Sequence, residues 1–213
     1  MTTDIEPRSA AKRVTKRRGE TRQRLLDAAF EVFAEEGFGR STVEQICERA
    51  GFTRGAFYSN FEALDELFLA MWEQRSTRLV ADVEAILGQE DLNELGDVRD
   101  VVERLLGAVP VDGGWYRITA EFTAHALRNP ALRQVMAGRE DVIVATLTPI
   151  LTDLLERAGR TVPDRLALGQ ALVAVHDGTS VQCLLEPDNP AVRARRVDLF
   201  THVVIAYSTR IEG

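Results

Sequence analysis

Glycines constrain the first third of this sequence more tightly than any other feature, because they cut it into three helical segments of falling length. From Thr21 the apolar side chains Leu25, Leu26, Ala29, Val32 and Phe33 form a one-sided stripe at helical spacing. Gly37 and Gly39 stop that stripe, as glycine does where a helix ends left-handed. Ser41 and Glu44 have the spacing of a capping box. They predict a second, short helix carrying Val43, Ile46 and Ala50, stopped by Gly51. Thr53 then caps a third helix, from Arg54 to about Asn60. A helix, a glycine turn, a short helix, a second glycine turn and a very short helix make the geometry of a helix-turn-helix, with 54–60 as its recognition helix.

The third segment carries the chemistry that such a helix needs. Arg54, Tyr58, Ser59 and Asn60 can all donate hydrogen bonds to phosphates or base edges. Gly55 and Ala56 are small and allow a close backbone approach, while Phe57 and Phe61 anchor the helix to the two before it. Seven helical residues rise about 10 Å, which suits a major groove about 12 Å wide. The competing reading of the same glycines and phenylalanines is a tight surface turn in some other helical bundle. Charge bears on where any such contact would lie, although a basic run by itself can equally be a solvated tail. Residues 1–24 hold eight basic side chains against Asp4, Glu6 and Glu20, a net of +5 in a chain of net −7. An acidic body repels a polyanion, so any nucleic-acid contact is expected only at the N-terminal end, with its basic arm of Lys16, Arg17 and Arg18.

The run Ser41-Thr-Val-Glu-Gln-Ile-Cys-Glu-Arg-Ala-Gly-Phe-Thr-Arg-Gly-Ala-Phe-Tyr-Ser-Asn-Phe61, followed by Leu64-Asp-Glu-Leu-Phe68, resembles the DNA-binding domain of TetR-family transcriptional regulators. The likeness reaches back through Arg24-Leu-Leu-Asp-Ala-Ala-Phe30 and Phe33-Ala-Glu-Glu-Gly-Phe38. It implies that Thr42 opens the second helix against a phosphate, and that Arg54, Gly55, Tyr58 and Asn60 approach the DNA. Thr53 and Ser59 complete the expected DNA-facing set, and the basic arm adds backbone contacts. Two positions depart from the pattern: Leu64 stands where the family often carries a phosphate-binding lysine, and Asn60 where histidine is frequent.

Beyond Glu62 the 213-residue chain continues with helical periodicity. Helices are predicted at Ala63–Leu87, Asp97–Val109, Trp115–Arg128, Ala131–Ala158 (with Pro149 as a kink), Pro163–Leu185 and Pro190 to about Arg210, with a loop at Gln89–Gly96. The fold class is therefore all-α, with about nine helices. Residues 1–62 form a basic arm and helix-turn-helix domain, and residues 63–213 a larger ligand-binding and dimerisation domain. The last two helices are more apolar than one buried face requires, through Leu168, Leu172, Val175, Phe200, Val204 and Tyr207. They predict a four-helix bundle with a second copy, the alternative being a self-contained core with no partner, and a dimer doubles the base pairs that one short helix can read. Aromatic and isolated polar side chains at Phe68, Trp72, Trp115, Thr119, Phe122, His125, Met136, His176 and Asp177 are candidates to bind a largely apolar small molecule. Aromatics at helical spacing are equally the content of a core, and the expected pocket follows mainly from the resemblance.

Other classes find no support. His125, His176 and His202 lack metal-ligand spacing, and no phosphate-binding glycine loop or nucleophile elbow is present, so neither an enzyme nor a cofactor is expected. Cys47 and Cys183 are too few for a disulfide framework, and no apolar run is long enough to cross a membrane. The sequence thus predicts a cytoplasmic DNA-binding regulator, most simply a homodimeric repressor released from a palindromic operator by an effector. The alternative is a ligand-binding adaptor or sequestering protein whose DNA contact is weakened at Leu64.

Overall fold

The structure is a computed structural model that describes residues 7–89 and 97–211, and the side chains of 16–85 and 97–211. Gln89 ends a helix, and the rest of the loop expected at Gln89–Gly96 lies outside the described residues, as do the side chains of Arg8, Lys12 and Arg13. Among the described residues nine α-helices follow one another: α1 (Pro7–Glu36), α2 (Val43–Ala50), α3 (Arg54–Tyr58), α4 (Leu64–Gln89), α5 (Val98–Ala108), α6 (Gly113–Ala126), α7 (Pro130–Arg157), α8 (Arg165–Leu185) and α9 (Pro190–Ala206). The all-α class is as expected.

Several boundaries move for identifiable reasons. Helix α1 is described from Pro7, well ahead of Thr21, and the Arg, Lys and Ala residues of that stretch are strong helix formers. The capping box of α2 is one residue later than predicted. Thr42 Oγ1 accepts from the Gln45 amide at 3.2 Å, and Gln45 Oε1 accepts from the Thr42 amide at 2.8 Å. Ser41 instead donates back to the Gly37 carbonyl at 2.7 Å. Asp112 and Asp164 move the starts of α6 and α8. As N-caps they accept from Gly114 and Trp115, and from Ala167, so α6 opens two residues before Trp115 and α8 two after Pro163. Helix α9 stops at Ala206, short of Arg210, because Thr209–Arg210 pairs antiparallel with Arg160–Thr161. Arg160 supports that two-residue ladder by donating to the Ser208 hydroxyl and carbonyl, each at 2.7 Å.

The chain forms two compact units, one running to Gln74 with Arg117–Phe122 added, the other comprising Arg75–Tyr116 and the residues from Thr123 on. In the first, the stripe of α1 (Leu25, Leu26, Ala29, Val32, Phe33) is buried together with Ile46, Phe57, Phe61, Leu67, Phe68 and Phe122. Phe68 and Phe122 stack at 3.6 Å, and Phe38 meets the Phe122 ring edge-on at 4.9 Å. Phe68 and Phe122, expected to line a ligand site, are filled core positions of this unit. Gly37 adopts φ +86°, a value only glycine takes readily, and a Cβ there would meet the Glu121 carboxylate at 2.7 Å.

The second unit packs α5, α7, α8 and α9 around Val101, Val102, Leu154, Leu155, Leu168, Phe200 and Val204. Leu168, Phe200 and Val204 were expected at a dimer face, yet all three are consumed by this protomer's own core. Where α7 meets α8, Gly169 has no room for a side chain: an added Cβ would lie 2.3 Å from Val144 Cγ1 and 2.8 Å from Thr148 Oγ1. Packed interiors resist such insertion, so Gly169→Ala is expected to lower stability by about 1–3 kcal/mol, read from the urea midpoint. An unchanged midpoint would mean that α7 and α8 lie farther apart than described.

Candidate nucleic-acid interface

Helix α3 spans only five residues, too few to be stable alone, so everything that positions it comes from neighbours. At its start Thr53 Oγ1 accepts from the Ala56 amide at 3.3 Å. Underneath, Phe57 is fully buried and Phe61 nearly so, their ring centroids 5.8 Å apart. At its end the Arg18 guanidinium, reaching from α1, donates to the Ser59 carbonyl at 3.0 Å. The turn before it is made by Gly51 in the left-handed region, φ +71°, which returns its amide to Cys47 and Glu48. Arg24 locks that turn: it donates to the Ala50 carbonyl at 2.7 Å, and its guanidinium lies 4.7 Å from the Phe52 ring centroid. Arg49 ties α2 to α1 through Glu35 at 2.7 Å and Glu31 at 3.0 Å. Hydrogen bonding to Arg49 holds the Glu35 carboxyl below the usual carboxylate range. Beneath them Cys47 is buried, which pushes its thiol up and keeps it protonated.

The outer face of α3 presents Arg54, Gly55, Tyr58 (52% exposed) and Ser59, and Thr53 is exposed beside them. Gly55 has an ordinary helical backbone, and a Cβ there would meet nothing nearer than Thr53 Oγ1 at 3.7 Å. Neither the turn nor the packing of the protein requires a glycine at that place. Asn60, expected to face outward, is half-buried: its Nδ2 donates to the Ala56 carbonyl at 2.8 Å and its Oδ1 lies buried without a hydrogen-bond partner. Its donor therefore braces the end of α3. Lys16, Arg17 and Arg18 are exposed on α1, Lys16 facing Glu20 at 4.0 Å. Thr42 sits exposed at the N-terminus of α2, where backbone amides collect partial positive charge. Sequence reasoning missed the ion pair of Arg54 with Glu44, 2.9 Å apart, and the clamps by Arg18 and Arg24. All three join different helices, and no local spacing signals them.

Comparison with known proteins matches residues 25–71 to the model described as bacterial regulatory proteins, tetR family, and residues 94–204 to that of the BetI-type transcriptional repressor C-terminal domain. The chain belongs to the TetR family of transcriptional regulators. A Mycobacterium tuberculosis HTH-type transcriptional repressor is 29% identical over 163 residues, covering 68% of this chain and 87% of that protein. SrpR of Pseudomonas putida is 44% identical, but over 71 residues that make up a third of each chain. TtgW, also from Pseudomonas putida, is 44% identical, and the match spans 53% of its length. Among solved structures, a TetR-family protein from Mesorhizobium loti superimposes with TM-score 0.68 at 17% identity, covering 90% of this chain and 96% of that one. Salmonella enterica GusR does so with 0.67 at 22%, covering 86% and 94%. At those identities the superpositions establish the TetR fold. This TetR-family chain is thus a DNA-binding regulator by membership, and no described helix is long and apolar enough to cross a membrane.

The expected ligand residues divide between the compact units. Phe68, Trp72, Thr119 and Phe122 belong to the first, and Trp115, His125, Met136, His176 and Asp177 to the second. Within the second unit, Trp115 is half-buried with the Arg75 guanidinium 4.9 Å from its ring centroid, Met136 is buried, and His125 is exposed. The chemistry concentrates between α8 and α9. Arg196 is 6% exposed and donates to Thr179 Oγ1 at 2.6 Å and Ser180 Oγ at 3.1 Å, with a second amino group 2.9 Å from His176 Nδ1. Guanidinium can only donate, so Nδ1 accepts and the proton of neutral His176 sits on Nε2. Burial, then the Arg196 charge, lowers His176 to about 4. Partial desolvation raises the carboxyls of Asp177 and Glu140, the latter also through Asp177, although both residues still face solvent.

The unfolded chain, with His176 near its ordinary 6.5, takes up this proton before the folded one does. Stability is therefore lost as pH falls from about 6.5 to about 4, by up to about 3 kcal/mol from this group. Asp177 and Glu140 act with the opposite sign, so the test compares wild type with His176→Asn, whose amide oxygen keeps an acceptor for Arg196. Urea stability of wild type is expected to fall faster than that of the variant between pH 6.5 and 4.5. Parallel curves would show that the imidazole is not buried as described.

Proposed function

We propose that this TetR-family regulator is a repressor that binds a palindromic operator as a homodimer and lets it go when a small, largely apolar effector binds the 63–213 region. The exposed face of α3 is the observation that carries the DNA reading, and above all Gly55, a glycine that the protein's own backbone and packing do not require. A missing side chain there permits the helix to seat closely in a major groove, with Arg54, Tyr58 and Ser59 toward base edges. Thr42 and Thr53 meet phosphates beside them, and Lys16, Arg17 and Arg18 meet the flanking backbone. Asn60 acts by bracing the end of the helix. Such a protein works in the cytoplasm, where the DNA is.

Dimerisation rests on the outer faces of α8 and α9. Leu172 and Val175 remain half-buried in the protomer, and Leu185, Leu199, Ile205 and Tyr207 stay exposed there or just beyond α9. Two copies joined there bring two α3 helices to one operator, one helical turn of about 34 Å apart. Effector binding near Trp115, Met136, His176 and Asp177 favours a conformation in which α4 tilts and that spacing is lost. A hundredfold release requires about 2.7 kcal/mol of differential effector affinity between the two states.

Selection of bound sequences from a random duplex library tests the reading: a palindrome with two half-sites supports it. If folded, dimeric protein enriches nothing, the chain is an adaptor and the altered Leu64 position is the first place to look. With the selected operator in hand, Tyr58→Ala should weaken specific binding about 10- to 100-fold while dimerisation is unchanged, since one good base contact is worth about 1–3 kcal/mol. Lys16→Ala should instead lower the salt slope by about one unit, as loss of one phosphate contact does. Unaltered operator affinity in Tyr58→Ala would remove α3 from the interface.

A further inference from the structure

Glu44 lies in the first turn of α2, two residues beyond Thr42, and its Oε1 meets Arg54 Nη1 at 2.9 Å with both side chains more than half exposed. Tyr58, one turn along α3 from Arg54, is exposed on the same face. An exposed ion pair contributes little to stability, so the fold alone gives weak reason to keep it. A carboxylate here is also unfavourable for binding: it stands on the surface that must approach a polyphosphate, in the part of the chain where basic residues concentrate. Its effect on Arg54 offsets that penalty. An unrestrained arginine at a DNA surface settles on the nearest phosphate, a contact that is blind to sequence. A guanidinium paired through one amino group with a carboxylate has fewer ways to reach the backbone. Its remaining N–H groups keep the rigid fork that pairs with guanine O6 and N7.

We infer that Glu44 is a specificity-determining residue: through its ion pair it positions Arg54 to read a guanine edge in each half-site, at the expense of some affinity for any DNA. The inference rests on the proposed DNA reading by α3 and names which partner of Arg54 makes that reading selective.

The test uses the full chain as wild type, Glu44→Gln, Glu44→Ala and Arg54→Lys, each checked for folding by circular dichroism. Each is taken through the random duplex selection, and affinities for the wild-type operator and a scrambled duplex are then measured across a range of NaCl. Wild type is expected to enrich guanine at one position of each half-site. In both Glu44 variants that preference flattens, and scrambled duplex binds several-fold tighter with a salt slope steeper by about one unit, because Arg54 is released to a phosphate. The operator-to-scrambled ratio drops about tenfold, within the range that one bidentate base contact supplies. Arg54→Lys, which keeps the charge and loses the fork, flattens the same position. If both Glu44 variants keep the guanine preference while the two duplexes tighten by one common factor, Glu44 merely repels phosphate and the inference is overturned. Unchanged preference and unchanged affinities overturn it equally. Failure of wild type to enrich any sequence removes the DNA reading itself, and the role of Glu44 with it.

Discussion

A helix of five residues cannot hold itself together, because nucleation fixes more backbone than so few hydrogen bonds repay. Helix α3 exists through the burial of Phe57 and Phe61, and the rest of the N-terminal unit follows from that need. The apolar stripe of α1 and the inner face of α2 supply the floor, while Gly51 sets the turn angle. Thr53 caps one end and Arg18 the other. Burying the two rings leaves Arg54, Gly55 and Tyr58 on the opposite face, so the same anchoring that makes the helix also aims it.

Charge is arranged with similar economy. Most of the chain is acidic, and the basic residues that remain near α3 are largely engaged: Arg24 with a carbonyl and a ring, Arg49 with two carboxylates, Arg18 with the end of α3. These arginines serve the shape of the unit before they serve any partner. Arg54 is tethered too, but by one exposed carboxylate that solvent and a polyanion can reach. That difference separates residues that build the surface from one that can act at it.

In the second unit the unusual feature is a guanidinium placed among hydroxyls and an imidazole between α8 and α9. A buried charge is tolerated when its donors are satisfied, and Thr179, Ser180 and His176 do that for Arg196. One consequence is a histidine kept neutral in a single tautomer. Another is that α8 and α9 are joined by directional bonds as well as by Leu168, Phe200 and Val204. Those three residues looked like interface in the sequence because periodicity reports that a side chain is buried, without saying which protomer buries it.

The sequence by itself determined the helices, the helix-turn-helix and the family, since all three rest on local order: apolar spacing, glycine stops, capping residues and one contiguous motif. Boundaries were less legible where two signals compete, as with Ser41 and Thr42 or Pro163 and Asp164. Only the tertiary structure decided which aromatics are core, that Asn60 turns inward, that Arg196 is buried, and that Glu44 holds Arg54. Each of these depends on residues far apart in sequence arriving side by side. That proximity is a property of packing, where the filling of space and the pairing of donors are settled together, and no pattern along one helix encodes it.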